Sequence, residues 1–192
     1  MRVKAGAVLW IVSALTYVTV EAAAAAAMGA DYHYARDYIS ELGRPEVSPR
    51  AALMNAAFAV QAIAFPVGAY LIAGNSGTRK TLPFLAFAVA NGIGNVLVAV
   101  VHSGSGAPAH AVGAVLAIVG GNAAILAFAG TRSRQFRTAS LVAGVAGLAN
   151  FILFAIGVPP DGAVERISVY SIYLWQALAG AVLLTPRNRR AR

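Results

Sequence analysis

Six long apolar stretches run along the chain, separated by short segments that hold nearly all of its charged residues. A helix rises about 1.5 Å per residue, so about 20 apolar residues cross the roughly 30 Å hydrocarbon layer of a bilayer. Each stretch has about that length. The predicted spans are residues 5–28, 51–73, 82–101, 110–130, 139–158 and 169–185. The pattern therefore predicts an all-α membrane protein whose residues 1–192 form a single domain, a bundle of six transmembrane helices.

The composition indicates lipid as the solvent of this chain. It is 59% hydrophobic and 11% charged, with a mean hydropathy of +0.69, which is more apolar surface than one water-soluble core can bury. The formal net charge of +8 lies in short clusters between the spans, so it indicates no nucleic-acid partner. The chain has no cysteine, which excludes disulfides, thiolate metal sites and cysteine nucleophiles.

The basic residues predict the orientation of the bundle, because cytoplasmic loops of membrane proteins are enriched in lysine and arginine. With both termini in the cytoplasm, the inner residues are Arg2, Lys4, Arg79, Lys80, Arg132, Arg134, Arg137, Arg187, Arg189, Arg190 and Arg192. The outer ones are Arg36, Arg44, Arg50 and Arg166. Every acidic residue then lies outside, except Glu21, which lies towards the outer end of the first span. We expect a multi-pass protein of a prokaryotic cell membrane with both termini cytoplasmic.

The first apolar stretch has a second interpretation. Arg2 and Lys4, the apolar run after them and the alanines that follow also resemble a cleaved signal peptide. Cleavage would leave every later loop on the same side of the membrane, so the orientation does not depend on this choice.

The first outer loop is predicted to contain a short helix at the membrane interface. In a helix over residues 31–43, side chains three and four apart adjoin, which places His33, Asp37, Ser40 and Glu41 on one face. Gly43 is a suitable stop signal. The candidate catalytic residues are therefore Asp37, Ser40 and Glu41. The alternative is a tyrosine-anchored interfacial helix whose charges face water.

All three histidines, His33, His102 and His110, fall on the outer side. Imidazole is a common metal ligand, so the three form a candidate zinc site, with Asp37 or Glu41 orienting a ring or activating water. Their spacing is not that of a recognised close-packed ligand motif. The alternatives are interface anchors or packed, hydrogen-bonded histidines, and a haem held by two rings.

The polar residues inside the spans are expected to face the bundle interior, because an unpaired amide in hydrocarbon is costly. They are Asn55, Gln61, Asn91, Asn95, Asn122, Asn150 and Gln176. Their amides either bond between helices or line a water-accessible cavity, and Asn95 is a candidate ligand contact. Glu21 should point inward for the same reason, towards Arg166 or an amide.

The last outer loop places Glu165 and Arg166 where the sixth span begins. An acid in the first turn of a helix is favourable to the helix dipole, which gives Glu165 a structural explanation. In a binding interpretation, Glu165 contacts a ligand while Arg166 and Arg36 clasp a lipid phosphate or a carboxylate.

Three segments together resemble a known family. They are Ile39-Ser40-Glu41-Leu42-Gly43, His102 to His110, and Glu165-Arg166-Ile167 followed by Trp175. The chain is similar over nearly its whole length to the prokaryotic membrane family known as domain of unknown function nine-nine-eight. That resemblance implies a six-helix membrane fold and a distant kinship with the Frag and DRAM type multispanning proteins, and it brings no established reaction.

A fainter similarity exists to intramembrane hydrolases of the ceramidase and progestin-receptor type. Those families combine a serine, an aspartate and three histidines around zinc, and Ser40, Asp37, His33, His102 and His110 supply the same residue types. This chain departs from them because its histidines are not closely paired on spans.

Two functional hypotheses follow. In the first, the outer surface binds a lipid headgroup, a small molecule or a partner, which includes a membrane protein or a second copy of the chain. In the second, the same surface is a zinc-dependent hydrolase acting on lipid or envelope substrates. A transporter is disfavoured, because no broken helix or acidic relay crosses the bilayer.

Overall fold

The computed structural model describes residues 1–74, 81–131 and 133–185. Within them are six long helices, listed here in chain order. They are α1 Arg2–Met28, α2 Ala51–Ala73, α3 Leu82–Val100, α4 Pro108–Phe128, α5 Arg134–Ala155 and α6 Asp161–Leu184. All six are long and apolar enough to cross a membrane, and no strand occurs in the described residues. The protein is an all-α, multi-pass membrane protein.

Two helices, α5 and α6, begin a turn or more before their predicted spans. α6 begins at Asp161, eight residues before the predicted residue 169, and α5 begins at Arg134, where the Ser133 side chain accepts the Phe136 N–H at 3.3 Å. The apolar pattern missed both starts, because charged first turns do not count towards an apolar span. Glu165 and Arg166 therefore lie within α6.

The six helices form a ring of antiparallel neighbours. Each helix packs against the next in sequence, and α1 packs against α6 to close the ring. Segments 29–50, 101–107 and 156–160 share one end of the bundle, called here the loop face. The opposite end, called the basic face, carries Arg2, Lys4, Arg134 and Arg137 among the described residues.

The charge separation holds for the described residues, since every acidic side chain lies in the half of the bundle next to the loop face. The remaining basic residues of the orientation argument lie outside the described residues. They are Arg79, Lys80, Arg132, Arg187, Arg189, Arg190 and Arg192. Which face is cytoplasmic stays a prediction.

Segment 29–50 forms short 3-10 helices at Gly29–Asp31 and Ile39–Gly43 instead of one α-helix over 31–43. A tight turn separates them: the His33 carbonyl accepts the N–H groups of Arg36 and Asp37 at 2.9 Å each. The Asp37 carboxylate accepts the His33 N–H at 2.6 Å, a side-chain bond that competes with continuous helix. The four side chains predicted to share a helix face therefore do not lie on one helix.

Aromatic side chains fill the half of the bundle next to the basic face. Trp10 and Trp175 have ring centroids 5.3 Å apart, and Phe84 and Phe128 are 4.9 Å apart. The indole N–H of Trp10 donates to the Phe65 carbonyl at 3.1 Å, so this polar group is satisfied inside the cluster. This half of the bundle is a close-packed core.

Buried amides join helices in the middle of the bundle. Gln61 Nε2 of α2 donates to Gln176 Oε1 of α6 at 2.8 Å. Asn122 Nδ2 of α4 donates to the Ser168 carbonyl at 2.9 Å, while Ser171 Oγ donates to Asn122 Oδ1 at 2.7 Å. These amides bond between helices, as the first of the two sequence interpretations predicts.

Helices α3 and α4 approach closely at Gly94. A Cβ on Gly94 would lie 2.6 Å from the Gly113 carbonyl oxygen and 2.8 Å from Ala117 Cα, both backbone atoms that cannot rotate away. We predict that Gly94→Ala lowers the free energy of unfolding by about 1–3 kcal/mol, because the helices must separate. Thermal unfolding in detergent measures the change. Gly130→Ala is the control, since a Cβ there meets nothing within 4 Å, and equal losses in both variants would contradict the prediction.

Candidate functional site

A cavity of about 340 Å³ occupies the half of the bundle next to the loop face. Its lining on α3 runs from Asn91 to Val98, and on α4 from His110 to Ile118. At about 1.5 Å per residue, Ile118 lies about 15 Å from the start of α4. The cavity therefore reaches from the loop face to about the middle of the bundle, where the buried amides begin.

The cavity wall is mainly apolar and carries a few polar groups. Near the loop face these are Ser40, Glu165 and His110, and deeper they include Asn91 and Asn95. Asn95 Nδ2 donates to the Asn91 carbonyl at 2.9 Å, and Asn91 Nδ2 donates to the Ala117 carbonyl at 2.6 Å. Asn95 Oδ1 and Ser40 Oγ have no hydrogen-bond partner among the described residues, so both remain available to a ligand.

His110 presents one ring nitrogen without a protein partner. Its Nδ1 lies 2.6 Å from the Val101 carbonyl oxygen, an acceptor, so Nδ1 must carry the proton. In the neutral ring Nε2 is then an acceptor, and the part of the chain that the structure describes gives it no donor. His110 is therefore fixed by the hairpin and can accept a hydrogen bond from a ligand.

Segment 29–50 covers the cavity at the loop face. Ile39 and Leu42 are 1% and 0% exposed, so the 3-10 helix that carries them is anchored in the core. The Ile39 N–H donates to Glu165 Oε2 at 2.7 Å, and Asn55 Nδ2 donates to the Gly43 carbonyl at 2.9 Å. Ile39 and Ser40 line the cavity at its loop-face end, so segment 29–50 is called here the cover of the cavity.

A buried ion pair joins α1 to α6 beside the cavity. Arg166 Nε donates to Glu21 Oε1 at 3.2 Å, with the two side chains 7% and 1% exposed. The Tyr170 hydroxyl donates to the same oxygen at 2.8 Å. The expectation that Glu21 points inward is confirmed, and of its two expected partners, Arg166 or an amide, it pairs with Arg166. Such a pair tolerates the loss of one partner poorly, because the other charge stays buried and unpaired.

Arg166 also holds segment 29–50 in place. Its Nη1 donates to the carbonyl oxygens of Tyr34 at 2.5 Å, Asp37 at 2.7 Å and Gly162 at 3.0 Å. Its Nη2 donates to the Tyr32 hydroxyl, and the guanidinium lies over the rings of Tyr32 and Tyr34, 5.4 and 4.8 Å from their centroids. Each nitrogen already has a partner in the chain, while Arg36 is exposed. Arg166 is therefore held by the chain itself, and the phosphate clasp of Arg36 and Arg166 stays a prediction.

Tyr38 connects the cover to the fifth and sixth helices. Its ring packs edge-on against Phe154, with centroids 5.4 Å apart, and its hydroxyl donates to Asp161 Oδ2 at 3.3 Å. Burial raises the pKa of Tyr38, and the Asp161 carboxylate raises it further. The hydroxyl therefore stays protonated and serves as a donor.

The structure separates the three histidines of the predicted metal site. His110 lines the cavity, His102 Nε2 lies 3.5 Å from Glu46 Oε1, and His33 is exposed. No group of three His, Asp or Glu side chains in the described residues could hold a metal ion. The residues present therefore do not fit the zinc site.

The three candidate catalytic side chains also have separate surroundings. Asp37 closes the turn at His33, Ser40 faces the cavity, and Glu41 lies on the cover. Burial raises the pKa of the Glu41 carboxyl, and repulsion from Asp37 adds to the shift, with Arg44 and Arg166 opposing it. Ser40 is the one member of this set that lines the cavity.

Sequence reasoning missed several residues of the cavity wall. Tyr17 and Tyr173 stack with centroids 3.9 Å apart and line its inner part, while Phe151 and Phe154 line it from α5. Tyr17 and Tyr173 lie in the middle of apolar spans, away from the interface that tyrosine prefers. Their position could have indicated a role for the two tyrosines inside the bundle, whereas two phenylalanines in an apolar span do not stand out from their neighbours.

The comparisons with known proteins identify the family. A family model described as a protein of unknown function, DUF998, matches residues 10–182. The chain belongs to the DUF998 family. The resemblance inferred from the three sequence segments is confirmed. No match was found for this DUF998 protein among curated proteins or among solved structures.

We predict that Arg166→Leu lowers the free energy of unfolding by about 3–5 kcal/mol, because Glu21 is left buried without its counter-charge. Glu21→Leu combined with Arg166→Leu should recover part of this loss. Denaturant unfolding in detergent measures both. Trypsin should also cut faster after Arg36 in Arg166→Leu, since the cover loses three carbonyl anchors.

Arg50→Leu is the matched control, because Arg50 is exposed at the edge of the same segment. It should change stability by no more than about 0.5 kcal/mol. If the double variant loses as much free energy of unfolding as Glu21→Leu and Arg166→Leu lose together when measured separately, the two side chains are not coupled and the prediction is wrong.

Proposed function

We propose that this DUF998 protein binds a small amphipathic molecule in the cavity beneath segment 29–50. The observation that carries the proposal is a cavity of about 340 Å³ with a mainly apolar wall and unpartnered polar atoms on Ser40, Asn95 and His110. Ligand sites typically measure about 300–1,000 Å³ and combine apolar walls with a few placed polar groups. This cavity has both properties.

The polar atoms also indicate the chemistry of the ligand. Asn95 Oδ1 accepts hydrogen bonds, as does His110 Nε2 when the ring is neutral, and Ser40 Oγ can donate or accept. Glu165, whose Oε2 already accepts the Ile39 N–H, adds a further acceptor group to the wall. A ligand whose polar end carries hydroxyl or amine donors complements these groups better than a phosphate or a carboxylate does.

The separation of the histidines disfavours the hydrolase hypothesis. A metal-dependent hydrolase needs three ligands around one ion, and no such group exists in the described residues. Binding therefore remains the better-supported function of the cavity.

We also propose that the loop face is extracytoplasmic in a prokaryotic cell membrane. The basic residues of the described chain at the opposite face, Arg2, Lys4, Arg134 and Arg137, support this orientation. The ligand would then be drawn from the outer leaflet or from the space outside it.

A single substitution that fills the cavity tests the binding proposal. Ala114 is half-buried on α4 and lines the cavity, so Ala114→Phe should occupy ligand space. We predict that purified protein carries a co-purifying amphipathic molecule, identified by native mass spectrometry, and that Ala114→Phe lowers its occupancy about tenfold.

Val112→Phe is the matched control on the same helix, since Val112 is 52% exposed and does not line the cavity. It should retain the bound molecule. A protein that carries no molecule, or an Ala114→Phe variant with unchanged occupancy, would refute binding in this cavity.

The orientation has its own test, which uses the hairpin between α3 and α4. The chain lacks cysteine, so Ser105→Cys supplies one thiol at an exposed position of the loop face. We predict labelling of intact cells by a membrane-impermeant maleimide at this position. Ser133→Cys, exposed at the basic face, should be labelled only after the cells are opened. The reverse pattern would invert the proposed orientation.

A further inference from the structure

The seam between α4 and α5 is closed at the basic-face half and loose at the loop-face half. A Cβ on Gly144 would lie 2.7 Å from Leu126 side-chain atoms and 3.1 Å from the Asn122 carbonyl oxygen. The buried residues of α5 are Phe136, Ser140, Gly144 and Gly147. None of residues 148–155 is fully buried, so the last two turns of α5 pack less tightly against the bundle than its first turns do.

Residues along this loose seam line the cavity and face the surroundings at the same time. On α4, Ala111 is exposed and Val115 is 45% exposed, and both belong to the cavity wall. On α5, Ala155 is exposed while Phe151 and Phe154 are half-buried, and these three also line it. The cavity is therefore continuous with the lateral surface of the bundle between α4 and α5.

That lateral surface lies in the hydrocarbon layer, because both helices are membrane spans. The end of the cavity at the loop face has a cover instead, anchored by Ile39 at 1% exposure and by the Glu165 bond to its N–H. A hydrocarbon chain thus meets an apolar gap between two helices, whereas a solute in water meets a folded segment.

The depth of the cavity matches one leaflet. It extends about 15 Å from the loop face, and half of a hydrocarbon layer of about 30 Å is about the same depth. Ser40, Glu165 and His110 lie at the loop-face end, at the level of the headgroups, while Ile118 and Ile172 line the deep end. Asn91 also lies deep in the wall, but its amide is already bonded to the Ala117 carbonyl and to Asn95. An amphiphile of that leaflet keeps its polar end and its chain at their normal depths inside the cavity.

We propose that the gap between α4 and α5 is a lateral portal through which one hydrocarbon chain of a lipid from the loop-face leaflet enters the cavity. This inference rests on the proposed binding function and adds the class of ligand and its route. Phe151 and Phe154 form the edge of the portal on α5, and Ala111 and Val115 form its edge on α4.

Photocrosslinking in vesicles tests the portal with the full chain. The protein is reconstituted in phosphatidylethanolamine and phosphatidylglycerol vesicles that contain a trace of a monoacylglycerol, whose polar end carries hydroxyl donors, with a photoactivatable group in its acyl chain. Val98 and Ile172 line the cavity and are 7% and 3% exposed, so lipid around the bundle does not reach them. We expect adducts at these two residues after irradiation.

Tryptophan at the portal should block entry. Ala111→Trp and Ala155→Trp change exposed positions, so each variant should fold, and each should lower the adduct yield at Val98 and Ile172 about tenfold. Ala149→Trp is the control, because Ala149 is exposed on α5 and does not line the cavity. It should leave the yield unchanged.

The outcomes separate the portal from the binding function. Adducts at Val98 and Ile172 that persist in both portal variants would overturn lateral entry and leave binding in the cavity intact. A wild-type protein labelled at its lipid-facing surface and not at these two residues would overturn the lipid chain as the occupant. Binding of some other molecule would then still be decided by the co-purification experiment with Ala114→Phe.

Discussion

The architecture of the loop-face half depends on the burial of one guanidinium. Arg166 neutralises Glu21 across the α1–α6 contact and donates to the carbonyl oxygens of Tyr34 and Asp37. Without that charge, the first outer loop would have free carbonyl groups and α1 an unpaired buried acid, each of which is costly away from water. The ion pair thus closes the ring of helices and fixes the cover over the cavity with one side chain.

The two halves of the bundle follow from the distribution of side-chain volume. Next to the basic face, Trp10, Phe84, Phe128 and Trp175 fill the interior, and α4 and α5 pack closely where Gly144 meets Leu126. Next to the loop face, alanines and valines of α4 lie opposite residues 148–155 of α5, none of which is fully buried. A cavity of about 340 Å³ remains between them. Larger apolar side chains that filled this cavity would stabilise the fold by about 0.8 kcal/mol for each buried methylene. The small side chains therefore leave space at the expense of stability.

The sequence predicted what depends on segment composition and missed what depends on contacts distant in the chain. Six apolar runs determine six spans, and the cost of burying a carboxylate was enough to direct Glu21 inward, towards Arg166 or an amide. The metal site predicted from the three histidines was wrong, because sharing a residue type and a side of the membrane does not determine the distances between their rings. His110 is held within the hairpin by the Val101 carbonyl, whereas His102 is near Glu46 because of how segment 29–50 folds against the hairpin. That fold depends on Glu165 and Arg166, far away in sequence.

The contacts of Glu165 and Arg166 with segment 29–50 also explain why the cavity opens between α4 and α5 and not at the loop face. Arg166 and Glu165 hold the cover at Tyr34, Asp37 and Ile39, so displacing it towards water breaks several charge-assisted hydrogen bonds at once. Among the described residues no hydrogen bond joins α4 to α5 near Phe151, so opening the gap there breaks only apolar contacts, which lipid can replace. In a bilayer, opening the gap between α4 and α5 therefore requires less free energy than displacing the loop segment that covers the cavity.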